Sequence, residues 1–192
     1  MRDGARTRAR IETEALRLFA DKGVAGTSVR DIAAAVGVAE AALYRHFPSK
    51  DALSRHLFLE GYAALAGDIG AVAARQLPLG LVIEEVVAIF CRLFDDNRPL
   101  FSFLLLSQHA HLADVPEEAD KNIVEAVRAI FAAAMGRGEI PDGEPDLLAA
   151  LALGIVAQPA IFTIYGRLSG PLGDRAGDLA RAVKAVAGIA TA

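Results

Sequence analysis

A chain of 192 residues with 54% hydrophobic and 23% charged residues can bury a sizeable core, which excludes a disordered polymer. Its net charge of −4 argues against a nucleic-acid partner only until it is divided. Residues 1–56 hold 10 Lys and Arg against 7 Asp and Glu, net +3, and residues 57–192 hold 10 against 17, net −7, so the basic excess is confined to one end.

Arg2, Arg6, Arg8 and Arg10 open the chain without an apolar stretch behind them, so they do not read as a signal peptide. They read either as a basic arm touching a DNA backbone or as a solvated helix start. The single cysteine, Cys91, excludes an intrachain disulfide framework and fits a reducing cytoplasm; its apolar neighbours make it a buried filler. A first helix is expected over about 6–22, burying Ile11, Ala15, Leu18 and Phe19.

The segment from Thr27 to Leu53 carries the most information. Val29, Ile32, Ala33 and Val36 fall at helical spacing on one face, and Ser28 with Asp31 forms a capping pattern ahead of them. Gly37 suits the turn because it takes a positive φ without steric cost. A second helix is expected over about 39–47. It buries Val38, Leu43 and Phe47 and leaves Glu40, Tyr44, Arg45 and His46 available. Pro48 stops it, and Ser49 can cap the next helix, with Asp51 in its first turn. Two short helices around a glycine turn form a helix-turn-helix unit, whose second helix enters the DNA major groove.

Thr27, Asp31-Ile32-Ala33, Gly37-Val38 and the run from Leu43 to Lys50 resemble the signature of the TetR family of bacterial transcriptional regulators. Ala15 to Phe19 and Gly23 fit it as well, so the match covers roughly residues 5–55. At Ala39, Ala41 and Ala42 the family more often has a capping Ser, a Gly and a hydroxyl residue. The resemblance implies contacts from Tyr44, His46 and Lys50 to phosphates or bases, and places Arg30 where it can reach a base edge. Thr27 can bind a phosphate through its hydroxyl. Glu40, Ala42 and Arg45 complete the expected DNA-facing set: Thr27, Arg30, Glu40, Ala42, Tyr44, Arg45, His46 and Lys50.

Proline and glycine breaks divide the remainder into helices over about 50–76, 81–95, 99–112, 116–136, 145–168 and 173–190. This makes an all-α chain of about nine helices, with a DNA-binding domain over 1–50 and a ligand-binding and dimerisation domain over 51–192. Residues 147–164 hold no charge, a length that invites a membrane span. Gln158-Pro159 in the middle and acidic residues just before it favour a buried helix instead. The resemblance implies that the last two helices pair two copies as a four-helix bundle.

On spacing alone Phe90, Phe94, Phe103, Phe131 and Phe162, with His109 and Gln158, read as ordinary helical core. The resemblance, to a family whose members commonly bind small molecules in the C-terminal body, implies that they line an effector pocket. His109 and His111 point roughly 200° apart on a helix, the wrong spacing for one metal ion. No nucleophile elbow, phosphate-cradling loop or zinc-ligand cluster is present, so neither an enzyme nor a cofactor is expected. The expectation is a cytoplasmic, homodimeric, ligand-responsive regulator, a repressor on a palindromic operator, with a largely apolar effector and no membrane. The alternative is a small-molecule-binding helical module with weak or lost operator binding.

Overall fold

The computed structural model describes residues 2–189, apart from the side chains of Arg2, Asp3 and His109. Among the described residues there are ten α-helices, two short 3-10 turns and no strand. In chain order they are α1 (Arg2–Lys22), α2 (Val29–Val36), α3 (Glu40–Tyr44), α4 (Lys50–Ala73) and α5 (Leu79–Asp96). Then come α6 (Arg98–Leu106), α7 (Gln108–His111), α8 (Ile123–Gly136), α9 (Pro145–Ile164) and α10 (Ala176–Val186).

The all-α class agrees with the sequence pattern; several boundaries differ. The helix expected over 99–112 breaks at Ser107, which leaves α7 as a single turn. The helix expected from 116 starts only at Ile123, because Asn122 Oδ1 accepts from the Val124 and Glu125 amides and so fixes the start there. The last helix begins at Ala176, after a 3-10 turn over Gly173–Arg175.

Packing divides the chain into two compact units that do not follow a boundary after residue 50. The first takes the chain up to Gly61 together with Arg98–Asp114, and the second takes Tyr62–Asn97 together with the chain from Val115 onward. In the first unit α1 packs on α2 and α6. The Phe19 and Phe103 rings stack with centroids 5.8 Å apart, and Phe58 meets Phe103 edge-on at 6.4 Å. Gly61 permits this approach: a Cβ there would lie 2.8 Å from Leu100 Cδ1.

In the second unit α5 packs on α9 and α10, and α9 also packs on α8 and α10. Val82, Ile83, Val86, Val87, Phe94, Phe131, Val156 and Val183 are buried there, each contributing roughly 1.5–3 kcal/mol on leaving water. Carboxylates finish the helix starts. Asp95 accepts from the Leu172 and Gly173 amides at 2.8 Å each, and Glu139 accepts from the Leu79 amide at 2.6 Å. That bond, then Arg137, holds the Glu139 carboxyl below its ordinary range.

Helix α9 has two unlike faces. Ala149, Ala152, Val156, Ala160 and Thr163 are buried, whereas Leu147, Leu151, Gly154, Gln158, Phe162 and Tyr165 are exposed at i, i+4, i+7, i+11, i+15 and i+18. Pro159 lies inside α9 without ending it. By length and composition α9 could cross a membrane, with a mean hydropathy of 2.1 over its most apolar window.

Candidate nucleic-acid interface and body cavity

The helix-turn-helix is closed by polar groups read directly from its sequence. Ser28 Oγ accepts from the Asp31 amide at 3.1 Å, and Asp31 Oδ2 accepts from the Ser28 amide at 2.8 Å, a complete capping box. Hydrogen bonds from the Ser28 hydroxyl and amide hold the Asp31 carboxyl below its ordinary range. At the other end Gly37 adopts φ 75°, and its N–H donates to Ala33 and Ala34 while the Val38 amide donates to Ala33 at 3.0 Å. This is a Schellman turn, and a side chain at residue 37 would be strained in it.

Helix α3 is shorter than its expected span of 39–47. Ala39 supplies no side-chain cap, and the chain leaves the helix after Tyr44. Leu43 and Phe47 are buried and anchor it, with the Phe47 amide donating to Leu43 O at 3.0 Å. Val38 is half-buried. Glu40, Ala41, Tyr44 and Arg45 are exposed, Ala42 and His46 are partly so, and Arg30 is exposed on α2. Ser49 Oγ then caps α4 by accepting from the Ala52 amide at 3.0 Å.

Two members of the expected DNA-facing set are engaged inside the fold. Thr27 is 1% exposed, and its hydroxyl donates to Gly23 O at 2.9 Å and towards Leu18 O at 3.3 Å. Its hydroxyl is thus engaged inside the fold, and the cap falls to Ser28. Lys50 Nζ donates to Val24 O at 2.6 Å and Thr27 O at 2.8 Å, which leaves one of its three protons for an outside acceptor.

The basic N-terminus is helical from Arg2. Arg10 donates to the Val36 carbonyl at the end of α2. Arg8 lies over the Phe47 ring, its Cζ 4.6 Å from the centroid. Sequence reasoning gave neither arginine an internal role, because no local pattern links residue 8 to residue 47.

The second unit contains a partly open apolar cavity of about 30 Å³, lined from α5, α8, α9 and α10. Phe90 and Phe131 line it as expected, with Val82, Val86, Ile130 and Val156 among their neighbours. The remaining expected lining residues are not in the cavity wall. Phe94 is buried on α5 one turn beyond Phe90, outside the wall, and Phe103 belongs to the core of the first unit. Gln158 and Phe162 lie on the exposed face of α9 because helical spacing turns them away from Ala152 and Val156. The side chain of His109 falls outside the described residues. The aliphatic wall was legible on α5, where residues 82, 83, 86, 87 and 90 repeat at helical spacing, but aromatic residues drew attention from it. Among the described residues no group of three or more His, Cys, Asp or Glu could hold a metal ion.

The geometry is that of a helix-turn-helix protein: a capped first helix, a glycine turn, and a short second helix whose outer face is open. Residues 11–57 match the family of bacterial regulatory proteins, tetR family. The resemblance to that family is carried by this N-terminal stretch. It is 48% identical over 44 residues, 23% of this chain, to the HTH-type transcriptional regulator YerO of Bacillus subtilis (strain 168). It is 34% identical over 73 residues, 38% of this chain, to the HTH-type transcriptional repressor KstR2 of Rhodococcus jostii (strain RHA1). The matched stretches span only 15% and 36% of the lengths of those two relatives. In fold, the chain resembles the regulator FadR of Bacillus subtilis, solved in complex with stearoyl-CoA. The TM-score is 0.75 at 16% identity, over 91% of this chain and 96% of that one.

Proposed function

We propose that this chain is a ligand-responsive transcriptional regulator, a repressor that binds a palindromic operator as a homodimer. The observation that carries this reading is the outer face of α3. Glu40, Ala41, Tyr44 and Arg45 stand free of the core while Leu43 and Phe47 anchor the helix from behind. The proposed DNA-facing set is Arg30, Glu40, Ala42, Tyr44, Arg45 and His46, with Lys50 offering its one remaining donor. An Arg fork on guanine discriminates by roughly 1–3 kcal/mol. The three alanines at 39, 41 and 42 give α3 little hydrogen-bonding capacity, so much of the selectivity falls to Arg30, His46 and the shape of the DNA.

Dimerisation is supported by the stripe on α9. Its apolar members Leu147, Leu151, Phe162 and Tyr165 are all at least 42% exposed, and α10 adds Val186 at 40%. A second copy would cover this face while the opposite face of α9 stays in its own core. A two-fold dimer then matches a two-fold operator.

For the effector, the wall of the cavity supplies aliphatic and aromatic side chains only. A volume of about 30 Å³ holds one or two waters, so an effector must widen it. An apolar ligand, such as the acyl chain carried by the FadR relative, fits that wall. To act as a switch it must favour one conformation by roughly 1–3 kcal/mol. The test is an anisotropy titration against DNA flanking the chain's own gene and against operators selected from random sequence. Salt-dependent, sequence-preferring binding supports the reading; its absence on every selected operator refutes it.

A further inference from the structure

We propose that Arg8 is a positioning residue for the recognition helix, acting through Phe47 rather than touching DNA. The inference rests on the DNA-binding reading above.

Three groups hold the Arg8 guanidinium. Its Nε donates to Glu12 Oε1 at 2.9 Å, one turn further along α1. Its Nη2 lies 3.2 Å from His56 Nε2 on α4. Its Cζ lies over the ring of Phe47, which closes the last turn of the recognition unit through its amide bond to Leu43. The His56 ring meets the same phenylalanine, with centroids 5.5 Å apart. His56 Nε2 also lies 3.1 Å from Glu12 Oε1, and a single ring nitrogen can accept from Arg8 or donate to Glu12, not both. With its proton on the other nitrogen, the His56 ring accepts from Arg8 through Nε2.

The cluster therefore joins α1, the end of α3 and the start of α4 around one aromatic ring. Phe47 is 4% exposed and sits three residues after Tyr44, so the ring that Arg8 covers fixes the angle of the helix carrying Tyr44 and Arg45. A lysine cannot replace this guanidinium, because a point charge has neither the fork for two partners nor the plane for the ring.

The variants are Arg8→Gln, Arg8→Lys, Phe47→Leu and the double variant Arg8→Gln/Phe47→Leu. Each is measured for operator affinity across salt concentrations, for affinity to non-specific DNA, and for thermal stability. Arg8→Gln and Arg8→Lys are expected to weaken operator binding about tenfold while non-specific binding holds, with the salt slope unchanged. Phe47→Leu keeps an apolar anchor and is expected to give the same loss, with the double variant no worse than either single one.

A slope lower by about one unit in Arg8→Gln would mean a phosphate contact and overturn the proposal. Full operator affinity in Arg8→Lys, or additive losses in the double variant, would overturn it as well. A wild-type chain that binds no selected operator overturns the regulatory reading and this inference together. Each of the other adverse results leaves the regulatory reading intact.

Discussion

Ser54 Oγ and His111 Nε2 lie 2.8 Å apart inside the first unit, with Ser54 fully buried and His111 8% exposed. The imidazole also faces the Phe58 ring, with centroids 5.2 Å apart, and Arg55 pairs with Asp114 at 2.8 Å beside it. The pair ties α4 to the segment after α6 through groups that prefer a neutral ring.

The first prediction concerns acid. Burial pushes the His111 pKa below its ordinary value of 6.5, against the opposing pull of Asp114, while Arg55 lowers it further and Asp51 raises it. The unfolded chain therefore binds the proton more readily than the folded one. The stability that depends on neutral His111 is present above pH 6.5 and is lost as pH falls through the depressed folded value. His111→Gln removes the titration, so its Tm is expected to fall less than the wild type's between about pH 7 and pH 5. Parallel Tm curves for the two proteins would contradict this.

Gly26 has no room for a side chain. A Cβ there would lie 2.3 Å from the Lys22 carbonyl oxygen, a backbone atom that cannot swing aside. Gly26→Ala is expected to destabilise the fold by about 2–4 kcal/mol in chemical denaturation. A cost under about 0.5 kcal/mol would show that the loop relaxes freely.

Lys50→Ala separates two roles of one side chain. Loss of the bonds to the Val24 and Thr27 carbonyls is expected to cost about 1–3 kcal/mol of stability. Loss of the remaining donor should also flatten the salt slope of operator binding by about one unit. Reduced stability with an unchanged slope would confine Lys50 to the loop it holds.

Leu151→Glu and Phe162→Glu test the stripe on α9. Each places a charge where the proposed partner copy would exclude water, so self-association should weaken at least a hundredfold, about 2.7 kcal/mol. Sedimentation equilibrium reads this directly. Unchanged association by both variants would place the dimer contact elsewhere.

Local patterns were the legible ones. The capping box at Ser28 and Asp31, the turn at Gly37, the anchors Leu43 and Phe47 and the Ser49 cap all follow from spacing within a few residues. What was not legible depends on distant packing. Phe103 joins Phe19 across more than eighty residues of chain, which moved it out of the expected pocket. Thr27 looked available because its neighbours are polar, but its hydroxyl turns inward to carbonyls of α1 and the following loop. On α9 the absence of charge concealed two faces, and only the packing showed which one Gln158 and Phe162 occupy.

The segment Arg98–Asp114 has a bearing on how the molecule is made. It brings Phe103 and His111 to a core whose other members precede residue 62. During synthesis, the unit carrying the helix-turn-helix lacks that wall until residue 114 has left the ribosome, well after α5 has emerged. The same order limits engineering. A chimera that grafts residues 1–50 onto a foreign body would leave Phe19 without Phe103 and Phe47 without His56, so an exchangeable reader must travel with both pieces of chain.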